Sequence, residues 1–199
     1  MAKRIDYYLS PMSPWTHLGH ERFGALARKH GAGIDVKPVD YGKIFPASGG
    51  LPLAKRAPQR QKYRLVELQR WRDYLGVPLT IQPRHFPYDA LAASLLILAA
   101  KAKAGNDAAF NLAGAILHGC WVEERNMADE AELKSVLVAQ GLDSSVFAKS
   151  KEPAVAAEYE RLTQEAIERD VFGAPTYVYD GEPFWGQDRL DLLAWRLSR

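Results

Sequence analysis

Cysteine is nearly missing from this 199-residue chain, Cys120 being the only one. A single cysteine excludes an internal disulfide, a CxxC redox pair and any metal site built on cysteines. An excess of one charge is lacking too. With 26 Lys and Arg against 24 Asp and Glu, the formal net charge is +2 at pH 7. That is too small to argue by itself for nucleic acid or a membrane surface as partner. No hydrophobic run is long, since the most apolar one, residues 90–100, is interrupted by Ser94. It is too short for a bilayer and suits a buried helix. The opening MAKRIDYYLS has a basic pair with no apolar stretch behind it, so no signal peptide is expected, and the cytoplasm is the expected location. Repeats and low-complexity segments are also wanting.

What is present is ordinary globular composition, 47% hydrophobic and 25% charged, enough for a sizeable core. The length fits one domain, or one small domain carrying a large insertion. The run Ile5-Asp-Tyr-Tyr-Leu9 reads as a strand bounded by Ser10-Pro11. Ser13-Pro14 then opens a helix, serine being a favoured N-cap and proline suiting the first helical position. That helix is expected to reach about His30, before Gly31 and Gly33. Residues 34–39 read as a second strand, pushed by Pro38 towards a sheet edge. Residues 41–59, rich in Gly and Pro, read as a long ordered loop. Helices are expected over 60–75, 89–104, 107–120, 130–140 and 153–169, with Asp129 and Ser150 near helix starts. Residues 176–179 and 183–185 form a hairpin about Asp180-Gly181, and 187–197 an amphipathic helix.

The order is β-α-β, about 100 mostly helical residues, then β-β-α. A β-α-β half followed by a β-β-α half is the thioredoxin arrangement. The expected class is therefore α/β, a thioredoxin-like fold interrupted by a large all-helical insertion domain. Residues 1–60 and 171–199 supply the two parts of the thioredoxin-like domain, and 61–170 the insertion.

In that fold the reactive thiol sits at the N-terminus of the first helix, where the dipole and free N–H groups lower its pKa. Here Ser13-Pro14-Trp15-Thr16 keeps the CxxC spacing with hydroxyls. An alkyl hydroxyl cannot exchange disulfides, but it can donate a hydrogen bond to a thiolate brought from outside, and the helix end favours that anion. A plain N-cap is the other reading of Ser13. Ala174-Pro175 enters the third strand. A cis bond there, which only the fold argues for, turns the backbone of Ala174 towards the helix tip, ready to pair with a peptide-like ligand. Asp188 is either a carboxylate at a helix start or the partner of a ligand ammonium. Between Lys55 and Asp73 lie seven basic residues, Lys55, Arg56, Arg60, Lys62, Arg64, Arg70 and Arg72, against two acidic ones. A solvated helix face explains most, with one or two, led by Arg60, turned inward to hold an anion. His17 and His20 lie one helical turn apart but lack further ligands in sequence, so no metal is expected. Cys120, among apolar residues, reads as a core residue rather than a nucleophile.

The segment from Asp6 to Gly19, with Ser13-Pro14 and Leu18-Gly19, resembles the signature of 2-hydroxychromene-2-carboxylate isomerases and of the related kappa-class glutathione transferases. The resemblance continues through Pro58-x-Arg60-x-x-Tyr63, His85-Phe86-Pro87-x-Asp89 and Trp121-x-x-x-Arg125, and closes with Phe172-Gly-Ala-Pro-Thr176 and Phe184-Trp-Gly-Gln-Asp188-Arg189. It implies a DsbA-like chain, usually a homodimer, with glutathione as cofactor. By it, Ser13 contacts the sulfur, Ala174 and cis-Pro175 pair with the cysteinyl backbone, Gln187 and Asp188 hold the γ-glutamyl end, and Arg60 meets the glycyl carboxylate. Met12, Trp15, Tyr88 and Trp185 would wall a small aromatic or conjugated substrate. The implied reaction converts 2-hydroxychromene-2-carboxylate to trans-o-hydroxybenzylidenepyruvate in aromatic catabolism: thiolate addition makes a double bond rotatable, and thiolate loss restores it. The chain departs from relatives in having Gly50 where many carry Asn, and Arg60 where lysine is frequent. A glutathione transferase acting on electrophiles and a non-catalytic peptide-binding module are the alternatives. A disulfide oxidoreductase is disfavoured by the lack of cysteine at 13 and 16.

Overall fold

The structure is a computed structural model, and it describes residues 2–199. Strand β1 (Arg4–Leu9) leads to helix α1 (Pro14–Lys29) and strand β2 (Gly33–Pro38). Helices α2 (Tyr41–Ser48), α3 (Pro58–Leu75), α4 (Leu91–Trp121), α5 (Glu130–Ala139), α6 (Ser145–Lys149) and α7 (Pro153–Glu168) follow. The chain then returns as β3 (Thr176–Tyr179), β4 (Glu182–Trp185) and α8 (Leu190–Leu197). The sheet order is β2-β1-β3-β4, with β1 parallel to β2 and antiparallel to β3. This is the expected thioredoxin-like arrangement, with a large helical insertion between β2 and β3. Among the described residues, no helix is long and apolar enough to cross a membrane.

Strand β1 is central and covered on both faces, which is why it reads as a run of apolar and aromatic residues rather than an alternation. Ile5, Tyr7 and Leu9 belong to the core shared with α1, α4 and α8, while Tyr8 belongs to a second core with Val39, Tyr41, Ile44 and residues of α7. As Pro38 implied, β2 is an edge strand. Its outer backbone is sealed by α4, with Asn106 Oδ1 accepting from Val36 N–H at 2.9 Å and Lys101 Nζ donating to Val36 C=O at 2.9 Å. Covering an edge in this way removes a template for strand addition. The break expected between 104 and 107 is a kink within α4 at Gly105, whose φ of 87° and ψ of −179° a side chain would oppose.

Several expectations need correction. Residues 41–59 are not one loop, because Asp40 caps α2 by accepting from Gly42 N–H at 2.7 Å, and Tyr41 and Ile44 bury its inner face. Gly49 ends α2 in the left-handed conformation, so a residue read as loop is a helix stop. A 3-10 turn at Leu53–Lys55 follows. Helix α3 starts at Pro58, where proline's missing N–H is harmless. Ser150 closes the short α6, unforeseen in sequence, and Pro153 starts α7. The terminal helical segment is divided into a 3-10 turn at Gln187–Arg189 and α8.

A buried ion network ties the insertion to the sheet. Lys37, 6% exposed, lies 2.6 Å from Glu165 of α7, 3.2 Å from Asp6 and 3.6 Å from Asp35. Asp35 also meets Lys101 at 2.6 Å and Arg4 at 2.7 Å, and Asp6 meets Arg169 at 2.7 Å. Burial alone would push the Glu165 carboxyl up, but hydrogen bonds from Lys37 and Tyr8 hold it down to about 2.

Candidate active site

The register of the sheet gathers the site at one end. Tyr8 lies opposite Thr176, and Thr176 opposite Trp185. The turn after β1, the Ala174-Pro175 entry to β3 and the Gly186-Asp188 exit from β4 therefore meet there. Gly186 N–H donates to Pro175 C=O at 2.9 Å, which joins two of these walls directly.

Ser13 is the N-cap of α1, its Oγ accepting from Thr16 N–H at 3.2 Å and its own N–H donating to Ser10 C=O at 3.0 Å. The capping bond uses a lone pair of the hydroxyl and leaves its proton without an acceptor among the described residues. Capping and donation to a ligand are thus compatible. Pro14 has no N–H, and no acidic residue lies in the first turn to compete for the positive end of this 16-residue helix. Thr16, fully buried, has an Oγ1 without a hydrogen-bond partner.

The Ala174–Pro175 bond is cis. Pro175 is buried, Ala174 half-buried, and neither Ala174 N–H nor C=O has a partner among the described residues. The preceding Gly173 carbonyl is occupied by Tyr41 Oη at 3.0 Å and Thr176 Oγ1 at 2.6 Å. An unpaired peptide edge at the same sheet end as a free hydroxyl proton and a helix N-terminus fits a peptide-like thiol such as glutathione.

Gln187 is 2% exposed and takes Arg22 of α1 on its Oε1 at 2.8 Å, so its amide is oriented from beneath the site. Gly19 permits this packing, because a Cβ there would stand 2.8 Å from Gln187 Cβ. Asp188 is exposed and pairs with its neighbour Arg189 at 2.7 Å. Tyr88 is buried and donates to Pro11 C=O at 2.8 Å, fixing the turn before Ser13. Met12 and Trp15 are half-buried against the main core. Trp185 is half-exposed, its ring edge-on to Phe172 at 4.7 Å. Arg60 is exposed in the first turn of α3, and Arg64, one turn on, is the residue directed inward. At Gly50 an added Cβ would approach Phe45 Cδ1 to 2.8 Å, so the asparagine of relatives would require Phe45 to move.

The histidine pair is committed elsewhere. His17 Nε2 lies 2.8 Å from Pro78 C=O, and burial lowers its pKa. His20 stacks on Phe110 at 3.9 Å, with Nε2 3.1 Å from Phe110 C=O and Nδ1 3.1 Å from Tyr7 Oη. A carbonyl can only accept, so Nε2 carries the proton and Nδ1 takes the Tyr7 hydroxyl. Burial lowers the His20 pKa from 6.5 to about 3. Unfolding therefore takes up a proton in that window, so this residue's stabilising contribution is complete above pH 6.5 and declines as pH falls towards 3. His20→Gln should flatten the acid side of the stability curve by about 1.4 kcal/mol per pH unit between pH 6 and 4. Urea titrations at several pH values check this, and parallel curves for the two proteins would refute it. Cys120 is buried, with its thiol pushed up to about 12 by that burial, as suits a core residue.

Sequence reasoning missed Thr16 Oγ1, Arg22 beneath Gln187, Tyr41 on the Gly173 carbonyl, and the inward turn of Arg64. The first three lie far from their partners in the chain or depend on burial. Only Arg64 had a sequence signal, its i+4 spacing to Arg60 on one side and to the fully buried Leu68 on the other.

The family described as a DSBA-like thioredoxin domain matches residues 4–198. A 2-hydroxychromene-2-carboxylate isomerase of Sphingobium xenophagum is 33% identical over 195 residues, covering 97% of this chain and 97% of the relative. Glutathione S-transferase kappa 1 of Caenorhabditis elegans is 23% identical over 202 residues, covering 96% of this chain and 89% of the relative. A solved structure of 2-hydroxychromene-2-carboxylate isomerase superposes with a TM-score of 0.83 at 27% identity, covering 98% of this chain and 95% of that one. Fold and near full-length similarity agree, and the chain belongs to the DSBA-like thioredoxin family and, within it, to the family that holds the 2-hydroxychromene-2-carboxylate isomerases.

Proposed function

We propose that this protein is a glutathione-dependent cis-trans isomerase of a small conjugated aromatic acid, of the kind named for its relatives, 2-hydroxychromene-2-carboxylate. The observation that carries the reading is the Ser13 hydroxyl, whose proton is uncommitted at the N-terminus of α1, at the same sheet end as the unpaired backbone of Ala174. Glutathione, when bound, supplies a thiolate that adds reversibly to a conjugated carbon. Ser13 donates a hydrogen bond to that sulfur, and the end of α1 favours its negative charge. Ala174 pairs with the cysteinyl backbone beside Pro175. Asp188 receives the γ-glutamyl ammonium, with Gln187 held in place by Arg22. Arg60, exposed in the first turn of α3, takes the glycyl carboxylate. Met12, Trp15, Tyr88 and Trp185 exclude water and orient the flat substrate. The same thiolate serves conjugation to electrophiles, and the similarity to a kappa-class glutathione transferase supports assaying that activity as well.

Calorimetry with glutathione tests the site. Sub-millimolar binding is expected for the wild type, and no binding at millimolar ligand refutes the reading. Asp188→Ala should weaken binding by about 1.5–3 kcal/mol, the loss of one charged hydrogen bond, with little change in melting temperature. Unchanged affinity would leave Asp188 as the partner of Arg189 alone.

A further inference from the structure

Arg64 is a half-buried cation without a counter-ion. Its guanidinium makes no hydrogen bond and no ion pair among the described residues, whereas Arg70 and Arg72 on the same helix are paired with Glu67 and Asp73. Its place on α3 is inward, one turn before Leu68, which is fully buried. The guanidinium lies over the Phe86 ring at 5.1 Å, a contact that leaves its hydrogen-bond donors unused. The charge that acts on it is of its own sign. Arg56, half-buried with Nε on Leu51 C=O at 2.8 Å, depresses the Arg64 pKa, and Arg60 depresses that of Arg56. Burial and Arg56 together bring Arg64 down to about 10. Helix α3 has no acidic residue in its first turn to offset this cluster. Partial desolvation of like charges with no compensating anion is unfavourable, and such an arrangement persists where a ligand completes it.

The surroundings specify the ligand. Phe86 packs on Trp121 at 4.8 Å, and the indole Nε1 of Trp121 is buried without a partner. Two residues beyond Phe86, Tyr88 holds the carbonyl of Pro11, two residues before Ser13. The cation thus stands over an aromatic ring carried by the insertion, two residues from the contact to the Ser13 turn. Ala174, Gln187 and Asp188 come from the thioredoxin part of the chain. We propose that Arg64, reinforced by Arg56, is the specificity-determining residue that takes the carboxylate of an aromatic or conjugated acid substrate, whose ring lies along Phe86. This rests on the isomerase reading above for its reaction, but not for its binding chemistry.

The test uses trans-2-hydroxycinnamate and its neutral methyl ester as probes, with glutathione affinity measured in parallel. The wild type should bind the acid roughly tenfold or more tightly than the ester. Arg64→Gln should abolish that preference, Arg64→Lys should restore part of it, and glutathione affinity should not change. In turnover of 2-hydroxychromene-2-carboxylate, Arg64→Gln should raise KM by roughly 10–100-fold with kcat nearly unchanged. Its melting temperature should equal or exceed that of the wild type, because an unpaired cation has been removed. No preference for acid over ester in the wild type overturns the inference without recourse to any variant. Preference retained in Arg64→Gln overturns it too, as does a loss of glutathione affinity instead, which would assign Arg64 to the glycyl carboxylate. If glutathione fails to bind the wild type while the Arg64-dependent preference stands, the carboxylate site is upheld and the glutathione reading falls.

Discussion

Ser13→Ala is expected to raise the pKa of the bound glutathione thiol by about 1–2 pH units, the equivalent of losing a charged hydrogen bond of about 1.5–3 kcal/mol. At neutral pH the thiolate fraction, and with it turnover, should fall by up to about 10–100-fold, and alkali should recover part of the loss. The structure gives the hydroxyl two duties at once: its lone pair caps Thr16 N–H while its proton remains available. Alanine removes both, so about 1 kcal/mol of stability should go with the activity. Ser13→Gly separates them, since glycine caps nearly as well and donates nothing. Both variants should show the same raised pKa although their stabilities differ. Ultraviolet titration of the bound thiolate measures it, and one common pKa for wild type and both variants would reduce Ser13 to a cap.

Lys37→Met should destabilise the fold at pH 7 by up to about 3–5 kcal/mol, the consequence of breaking a buried ion pair outright, the remaining partners of the carboxylates reducing it. Asp6, Asp35 and Glu165 would then lose the one cation they share, keeping only the outer partners Arg4, Lys101, Arg161 and Arg169. Long aliphatic methionine replaces the stem but not the charge, so the effect reports electrostatics rather than a cavity. Its pH dependence follows from Glu165, whose folded value is held at about 2 against a usual 4.5. The carboxylate's contribution is complete above 4.5 and is lost as pH falls through about 2. The gap between wild type and variant should therefore narrow in acid. Denaturant unfolding at pH 7 and at about pH 3 gives both numbers, and an equal difference at the two pH values would show that the lysine acts by packing alone.

Much of this protein was open to local reasoning. The aromatic run of β1, the Ser13-Pro14 helix start, Pro38 at an edge strand, the Asp180-Gly181 hairpin and the break near Gly105 are each set by a residue acting within a turn or two of itself. Where Gly and Pro have more than one use, local reading erred: Pro46 lies inside α2 and Gly49 ends it, and what decided for helix was the burial of Tyr41 and Ile44 against α7. The order of strands and helices was enough for the thioredoxin arrangement, because few topologies accept a β-α-β half and a β-β-α half around one sheet.

The candidate site divided along the same line. By itself the sequence determined which residue types stand at the first helix start and before the third strand, and that no protein thiol is there. Tertiary structure alone decided their neighbours. Strand register placed residues 13, 174 and 188 at one end of the sheet, Arg22 reached Gln187 across 165 residues, and the packing of α3 turned Arg64 inward while leaving Arg60 exposed. The physical reason is that capping, turns and periodicity are short-range properties of the backbone. The partner of a charge and the burial of a hydroxyl depend instead on segments far apart in the chain, brought together by a common core.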